Sequence, residues 1–169
     1  PDDARFCPAC GGTLPFDDST ETDPMEGKVL GGRYRITRLI AEGGMGRVYL
    51  ADQQMGTTVR QVAIKVMLAE YAHNTHVVER FLREGRAASA LNHPNIVTIH
   101  EVGRTDNGQY YIVQELVEGQ TLRRLLANGL TYDRVCHVGR QLAKALSAAH
   151  AAGIVHRDIK PENVMVRPD

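Results

Sequence analysis

The sequence has no excess of charge of either sign, because its 20 basic and 20 acidic residues cancel. This balance gives no electrostatic reason to expect a nucleic acid or an anionic membrane as a partner. No apolar run approaches the roughly 18 residues that a membrane-spanning helix needs, and no signal-peptide pattern stands at the start. Three cysteines, two of them in one short motif, do not make a disulfide framework. These absences predict a globular, cytoplasmic protein whose membrane tether, if it has one, lies outside these residues.

The most informative segment is residues 156–163, which read His-Arg-Asp-Ile-Lys-Pro-Glu-Asn. The triplet His-Arg-Asp occurs by chance on many surfaces, but a match over the whole segment makes chance improbable. The segment resembles the catalytic loop of serine/threonine protein kinases. The resemblance implies that Asp158 accepts a proton from a substrate hydroxyl, Lys160 neutralises the transferred phosphoryl group, and Asn163 holds Mg²⁺.

A glycine-rich segment, residues 41–48, lies between two predicted strands. Glycines let a backbone approach phosphate oxygens closely and offer amide donors without a blocking Cβ. A P-loop or a dinucleotide fingerprint would instead open a helix. The context therefore favours a kinase lid that covers ATP rather than a dinucleotide-binding site. Ala41 replaces the first glycine of the kinase pattern. The resemblance implies nucleotide contacts from Ile40, Ala41, Glu42, Gly43, Gly44, Met45, Gly46 and Val48.

The next predicted strand ends in Val-Ala-Ile-Lys, and a lysine that faces inward from an apolar strand needs a partner. In the kinase resemblance, Lys65 contacts the α- and β-phosphates and pairs with a glutamate of the following helix. Apolar residues recur every three or four positions over residues 75–91, which predicts that helix. We assign the pair to Glu84, because Glu84 lies closer to the apolar stripe than Glu79 does.

A predicted β-hairpin turn at residues 106–108 is followed by residues 114–119, which resemble the hinge between kinase lobes. The resemblance implies that backbone groups of Glu115 and Val117 bind the adenine edge. Gln114 would be the gatekeeper, where an apolar side chain is more usual. Ala63 would form part of the ceiling over adenine.

Cys7 and Cys10 form a Cys-x-x-Cys motif that resembles one knuckle of a zinc ribbon. A zinc ribbon needs two such pairs, and Cys136 lies far away, so we expect the second pair upstream of Pro1. An incidental pair and a redox pair are alternatives. The acidic, polar stretch 13–32 predicts a flexible linker.

Together these patterns resemble a bacterial eukaryotic-like serine/threonine kinase, an α+β protein with a two-lobed fold. The resemblance implies transfer of the γ-phosphoryl group of ATP to protein Ser or Thr. The sequence has no Asp-Phe-Gly triplet, so we expect a polypeptide of this length to be truncated and inactive. A pseudokinase scaffold and a zinc-ribbon interaction module are the alternatives. The predicted divisions are a knuckle at 1–12, the linker at 13–32, the N-lobe and hinge at 33–117, and a partial C-lobe at 118–169.

Overall fold

The computed structural model describes residues 23–105 and 107–168, without the side chains of Glu84, Ala87 and Ala88. Six strands form one antiparallel sheet in the order β1-β2-β3-β4-β6-β5. The strands are β1 (Val29–Leu30), β2 (Tyr34–Gly43), β3 (Gly46–Met55), β4 (Thr58–Met67), β5 (Ile99–Arg104) and β6 (Tyr110–Glu115).

The outer face of the sheet carries one hydrophobic cluster. Alternating side chains supply it, since Tyr34 and Ile36 are buried while Arg35 between them is exposed. The buried members of the cluster are Leu30, Tyr34, Ile36, Tyr49, Ala51, Val62, Ile64, Val66, Tyr111 and Val113.

The opposite face is covered by helix α1 (Thr75–Ser89). Phe81 is fully buried there and belongs to one cluster with Ile112 of β6. Gly85, one helical turn further on, lies so close to the sheet that a Cβ would stand 2.9 Å from Val102 Cγ2. The predicted amphipathic helix is therefore present, and its glycine allows close packing.

The predicted linker needs correction from residue 23 onward. β1 pairs with β2, and two backbone hydrogen bonds connect Gly27 N to Ile36 O and Ile36 N to Lys28 O. Met25 packs against the outer cluster. The free edge of β2 supplies backbone partners, so these few apolar side chains suffice to order an otherwise polar segment. Residues 1–22, with Cys7 and Cys10, lie outside the described residues.

The second half is helical. It contains α2 (Leu122–Ala127), α3 (Tyr132–Ala151), a 3₁₀ turn (Pro161–Asn163) and a small sheet of β7 (Gln120–Thr121) with β8 (Met165–Val166). Thr121 and Thr131 cap α2 and α3, since each hydroxyl accepts a hydrogen bond from a backbone N–H of the first turn. Within the described ranges, no helix has both the length and the apolarity to cross a membrane.

Candidate active site

Strand register places five of the predicted nucleotide-binding residues on one face of the sheet. Val48 of β3 stands opposite Ala41 of β2 and Lys65 of β4, and Lys65 in turn stands opposite Ile112 of β6. Directly opposed residues of antiparallel strands project to the same face. A second row of partners, Leu50–Ala63–Gln114, lies two residues along on that face. The row members predicted to contact nucleotide are Ala41, Val48, Ala63, Lys65 and Gln114.

Lys65 lies on the face that α1 covers. Its Nζ is 5.6 Å from the centroid of the Phe81 ring, within the range of a cation–π contact. The side chain of Glu84 lies outside the described residues, so the Lys65–Glu84 ion pair remains a prediction.

The predicted glycine-rich loop is a tight hairpin. Gly43 pairs with Gly46, and only Gly44 and Met45 form the turn. Leu68 N donates a hydrogen bond to Met45 O at 3.2 Å, which attaches the tip to the end of β4. A Cβ on Gly46 would stand 2.5 Å from Val66 O, so a side chain there would collide with backbone.

A β-bulge shapes the strand that leads into this hairpin. Leu39 pairs with Tyr49 and Ala41 pairs with Val48, which leaves Ile40 as the extra residue. Bulges bend a strand and redirect side chains, and they are frequent next to functional sites. Ile40 was predicted to contact nucleotide, but nothing in the local sequence indicated that it occupies a bulge.

The predicted hinge leaves the sheet at Glu115. Its backbone N–H donates to Thr98 O at 2.9 Å, and its carboxylate accepts from Arg167 Nη2 at 3.4 Å. Arg167 directly follows β8, so this pair connects the hinge with the segment below the catalytic loop. Val117 is half-buried within the connection to β7.

The catalytic-loop residues are joined by hydrogen bonds. Asp158 Oδ2 lies 3.0 Å from Lys160 Nζ, and Asn163 Nδ2 donates to both Asp158 O (2.9 Å) and Asp158 Oδ2 (3.0 Å). The bond from Lys160, assisted by that from Asn163, holds the pKa of Asp158 below its ordinary value. The carboxylate is therefore ionised at neutral pH.

The backbone of this loop makes a sharp turn at Arg157. Its φ is +66°, the left-handed region that non-glycine residues rarely adopt. Asp158 N donates to His156 Nδ1 at 3.3 Å across this turn. Such strained residues cluster at active sites, and nothing in the local sequence signalled this conformation.

A further ion pair supports the loop and was missed from the sequence. Arg123 Nε of α2 donates to Glu162 Oε1 at 2.7 Å. That bond lowers the pKa of Glu162. The two residues are 39 positions apart, so no local pattern could reveal their contact.

For a metal ion, the described residues of the site provide a suitable side-chain oxygen and not a complete set of protein ligands. In the described part of the chain, no group of three or more His, Cys, Asp or Glu side chains is arranged to hold an ion. Asn163 uses its amide nitrogen on Asp158, which leaves the amide oxygen as the hard donor that Mg²⁺ prefers. Asn163 would hold a magnesium ion through this oxygen, and the ion would take its other ligands from outside this group of side chains.

The fold and the site define a protein kinase domain. The family model described as "Protein kinase domain" matches residues 34–169, and the chain belongs to that family. The protein kinase fold inferred from the sequence is therefore confirmed.

Three similar curated proteins are bacterial serine/threonine-protein kinases. The chain is 42% identical over 150 residues to the serine/threonine-protein kinase pkn3 of Myxococcus xanthus, covering 88% of this chain and 27% of the relative. It is 44% identical to PrkC of Bacillus subtilis over 142 residues, with 83% and 22% covered. For PknA of Mycobacterium tuberculosis the identity is 42% over 152 residues, with 86% and 35% covered. The chain thus spans well under two thirds of each relative.

Comparison with solved structures indicates the same family. The crystal structure of the PknI kinase domain of Mycobacterium tuberculosis superposes with a TM-score of 0.71 at 32% identity. The superposition covers 84% of this chain and 58% of that chain. The predicted bacterial, eukaryotic-like serine/threonine kinase class is confirmed by this fold match and the named relatives.

Proposed function

We propose that the protein containing this chain transfers the γ-phosphoryl group of ATP to serine or threonine hydroxyls of other proteins. The observation that carries this proposal is the bonded set Asp158, Lys160 and Asn163. An ionised carboxylate with a cation at 3.0 Å suits a reaction in which a hydroxyl loses a proton and attacks a phosphoryl group.

Each loop residue has a distinct proposed task. Asp158 orients the substrate hydroxyl and accepts its proton. Lys160 lies beside that carboxylate and neutralises charge on the phosphoryl group during transfer. Asn163 fixes the Asp158 carboxylate through its amide nitrogen, and its amide oxygen would hold Mg²⁺. When bound, Mg²⁺ supplies charge neutralisation at the phosphates.

The shared sheet face is the proposed ATP site. Ala63 and Val48 pack on the adenine ring, and Lys65 binds the phosphates with Glu84 as its partner. Gln114 closes the back of the pocket, while backbone groups of Glu115 and Val117 hold the adenine edge. The hairpin covers the phosphates through residues 40–46.

The expected preference for serine and threonine over tyrosine is based on the catalytic loop. Lys160, two residues after Asp158, is typical of kinases that act on serine and threonine, and the relatives described above bear serine/threonine names. A pseudokinase is disfavoured because Lys65, Asp158, Lys160 and Asn163 are all present.

The test is phosphoryl transfer from ³²P-labelled ATP by the full-length protein, with Mg²⁺ and matched peptides that offer Ser, Thr or Tyr. We expect labelling of Ser or Thr peptides, and we expect Asp158→Asn to lower the rate by about 10²–10⁴-fold, the usual contribution of a general base. No labelling by a folded, ATP-binding protein would favour the pseudokinase. A polypeptide of these 169 residues alone should stay inactive, because it lacks the Asp-Phe-Gly aspartate that helps place Mg²⁺.

The Cys7–Cys10 pair carries a separate proposal of half a zinc site, supported only by its spacing. Zinc content of the full-length protein should fall when both cysteines are replaced by serine. Unchanged zinc content, or no zinc in the unmodified protein, would reject this site.

A further inference from the structure

The residues just before the family match are bound to the back of the ATP lid. The Asp23 carboxylate accepts hydrogen bonds from Tyr49 Oη at 3.1 Å and from Met25 N at 2.8 Å. Its other oxygen lies 3.4 Å from Arg47 Nη1. The Asp23 side chain is only 11% exposed, so this carboxylate is built into the sheet surface.

Arg47 connects this carboxylate to the hairpin. Arg47 is the first residue after Gly46, and its Nε donates to Glu42 Oε1 at 2.9 Å. Glu42 and Arg47 face each other directly across the two strands of the lid. One guanidinium therefore holds both arms of the lid and, through Asp23, attaches them to the preceding segment.

That segment is itself fixed to the sheet. Backbone bonds to Ile36 hold Gly27 and Lys28, and β1 continues the sheet edge. Tyr49, the other partner of Asp23, is fully buried, and burial together with the Asp23 charge raises its pKa to about 12. The neutral phenol thus remains a hydrogen-bond donor to Asp23 at any ordinary pH.

Resting on the proposed ATP-dependent function, we propose that residues 23–33 form a strap that positions the ATP lid through the Asp23–Arg47–Glu42 chain. These residues precede the matched range 34–169. Arg47 is a positioning residue, because it acts on nucleotide through the hairpin and not by contact. A lid held in place before ATP arrives loses less freedom on binding, so release of the strap should weaken nucleotide affinity.

The test compares three variants of the full-length protein for binding of a fluorescent MgATP analogue. Asp23→Asn keeps the shape and the bond from Met25 N but removes the charge facing Arg47. Arg47→Gln removes the partner, and Glu26→Gln is the matched control, since it removes one negative charge from the same strap. We expect Asp23→Asn and Arg47→Gln to raise Kd by about two- to five-fold, the size expected for a partly exposed ion pair, with Glu26→Gln unchanged.

Two further readouts separate positioning from general damage. The Asp23→Asn, Arg47→Gln double variant should raise Kd no more than Arg47→Gln alone does, because Arg47→Gln already removes the ion pair with Asp23. The KM for ATP should follow Kd, while kcat at saturating ATP and the KM for peptide stay within about two-fold of the unmodified protein. Multiplying effects, an equal effect of Glu26→Gln, or an unchanged Kd in Asp23→Asn would overturn the strap. The Kd comparison needs no transfer, so an inactive protein would reject the proposed function and leave that comparison intact.

Discussion

The two parts of the site are built in contrasting ways. The sheet face that carries Lys65 is set by strand register, and its neighbour Ala63 is only 4% exposed. The catalytic loop is open, since the side chains of Asp158 and Lys160 are 52% and 49% exposed. Its geometry depends on side-chain hydrogen bonds and on the strained backbone of Arg157.

The same contrast extends to the surrounding halves. Among the described residues, the largest fully buried side chains all lie between residues 34 and 113. In α3 the buried residues are Val138, Ala145 and Ala149, whereas Tyr132 and Val135 of the same helix are 82% and 47% exposed. The comparison teaches that packing of the first half determines the proposed nucleotide face, and that local bonds determine the proposed transfer loop. Stability and chemistry should therefore respond to different substitutions.

The largest difference in stability should be found between alanine substitutions of two valines. Val113→Ala removes two fully buried methyl groups of β6 and should lower the free energy of unfolding by about 2–3 kcal/mol. Val135→Ala, at a half-exposed position of α3, should change it by less than about 0.5 kcal/mol. Urea unfolding of the full-length protein gives both values. Equal losses would mean that α3 is packed as tightly as the sheet.

Substitutions of two glycines in the same hairpin should differ by a smaller amount in stability. Gly46→Ala should cost about 1–3 kcal/mol, because its Cβ would meet the backbone oxygen of Val66. Gly44→Ala is the control, since nothing lies within 4 Å of a Cβ there. Thermal melting of both variants checks the difference, and a stable Gly46→Ala would show that β3 and β4 tolerate separation.

The smallest effect concerns alkaline pH. The pKa values of Tyr34 and Tyr49 are raised to about 12, mainly by burial, from an ordinary value of 10.0. Because the folded pKa exceeds the unfolded one, the stabilisation is complete below pH 10 and is lost as pH rises toward 12. Absorbance titration of phenolate should show a late transition that the double replacement by phenylalanine reduces, while Tyr111, whose pKa is also raised by burial, still titrates late. Tyr132→Phe, at an exposed position, should leave this late transition in place.

Much of this contrast was predictable from the sequence. Glycine spacing, the Val-Ala-Ile-Lys strand and the catalytic-loop motif predicted Lys65, Asp158 and the elements around them, because each signal is local. The ordered segment after Asp23 was missed, since its order comes from pairing with β2 and from distant Arg47 and Tyr49. The bulge at Ile40 and the Arg123–Glu162 pair were missed for the same reason: both depend on contacts between separate elements.

The central claim is that the sheet face binds ATP and the loop performs transfer. It is tested most directly by MgATP affinity and transfer rate in Asp158→Asn and Ala63→Leu, each confirmed as folded by thermal melting. Asp158→Asn should bind MgATP within about three-fold of the unmodified protein while transfer falls by about 10²–10⁴-fold. Ala63→Leu should fill the proposed adenine space and weaken binding by about ten-fold or more, equivalent to at least 1.4 kcal/mol. Near-normal transfer by Asp158→Asn, or equal loss of affinity in both variants, would contradict the account.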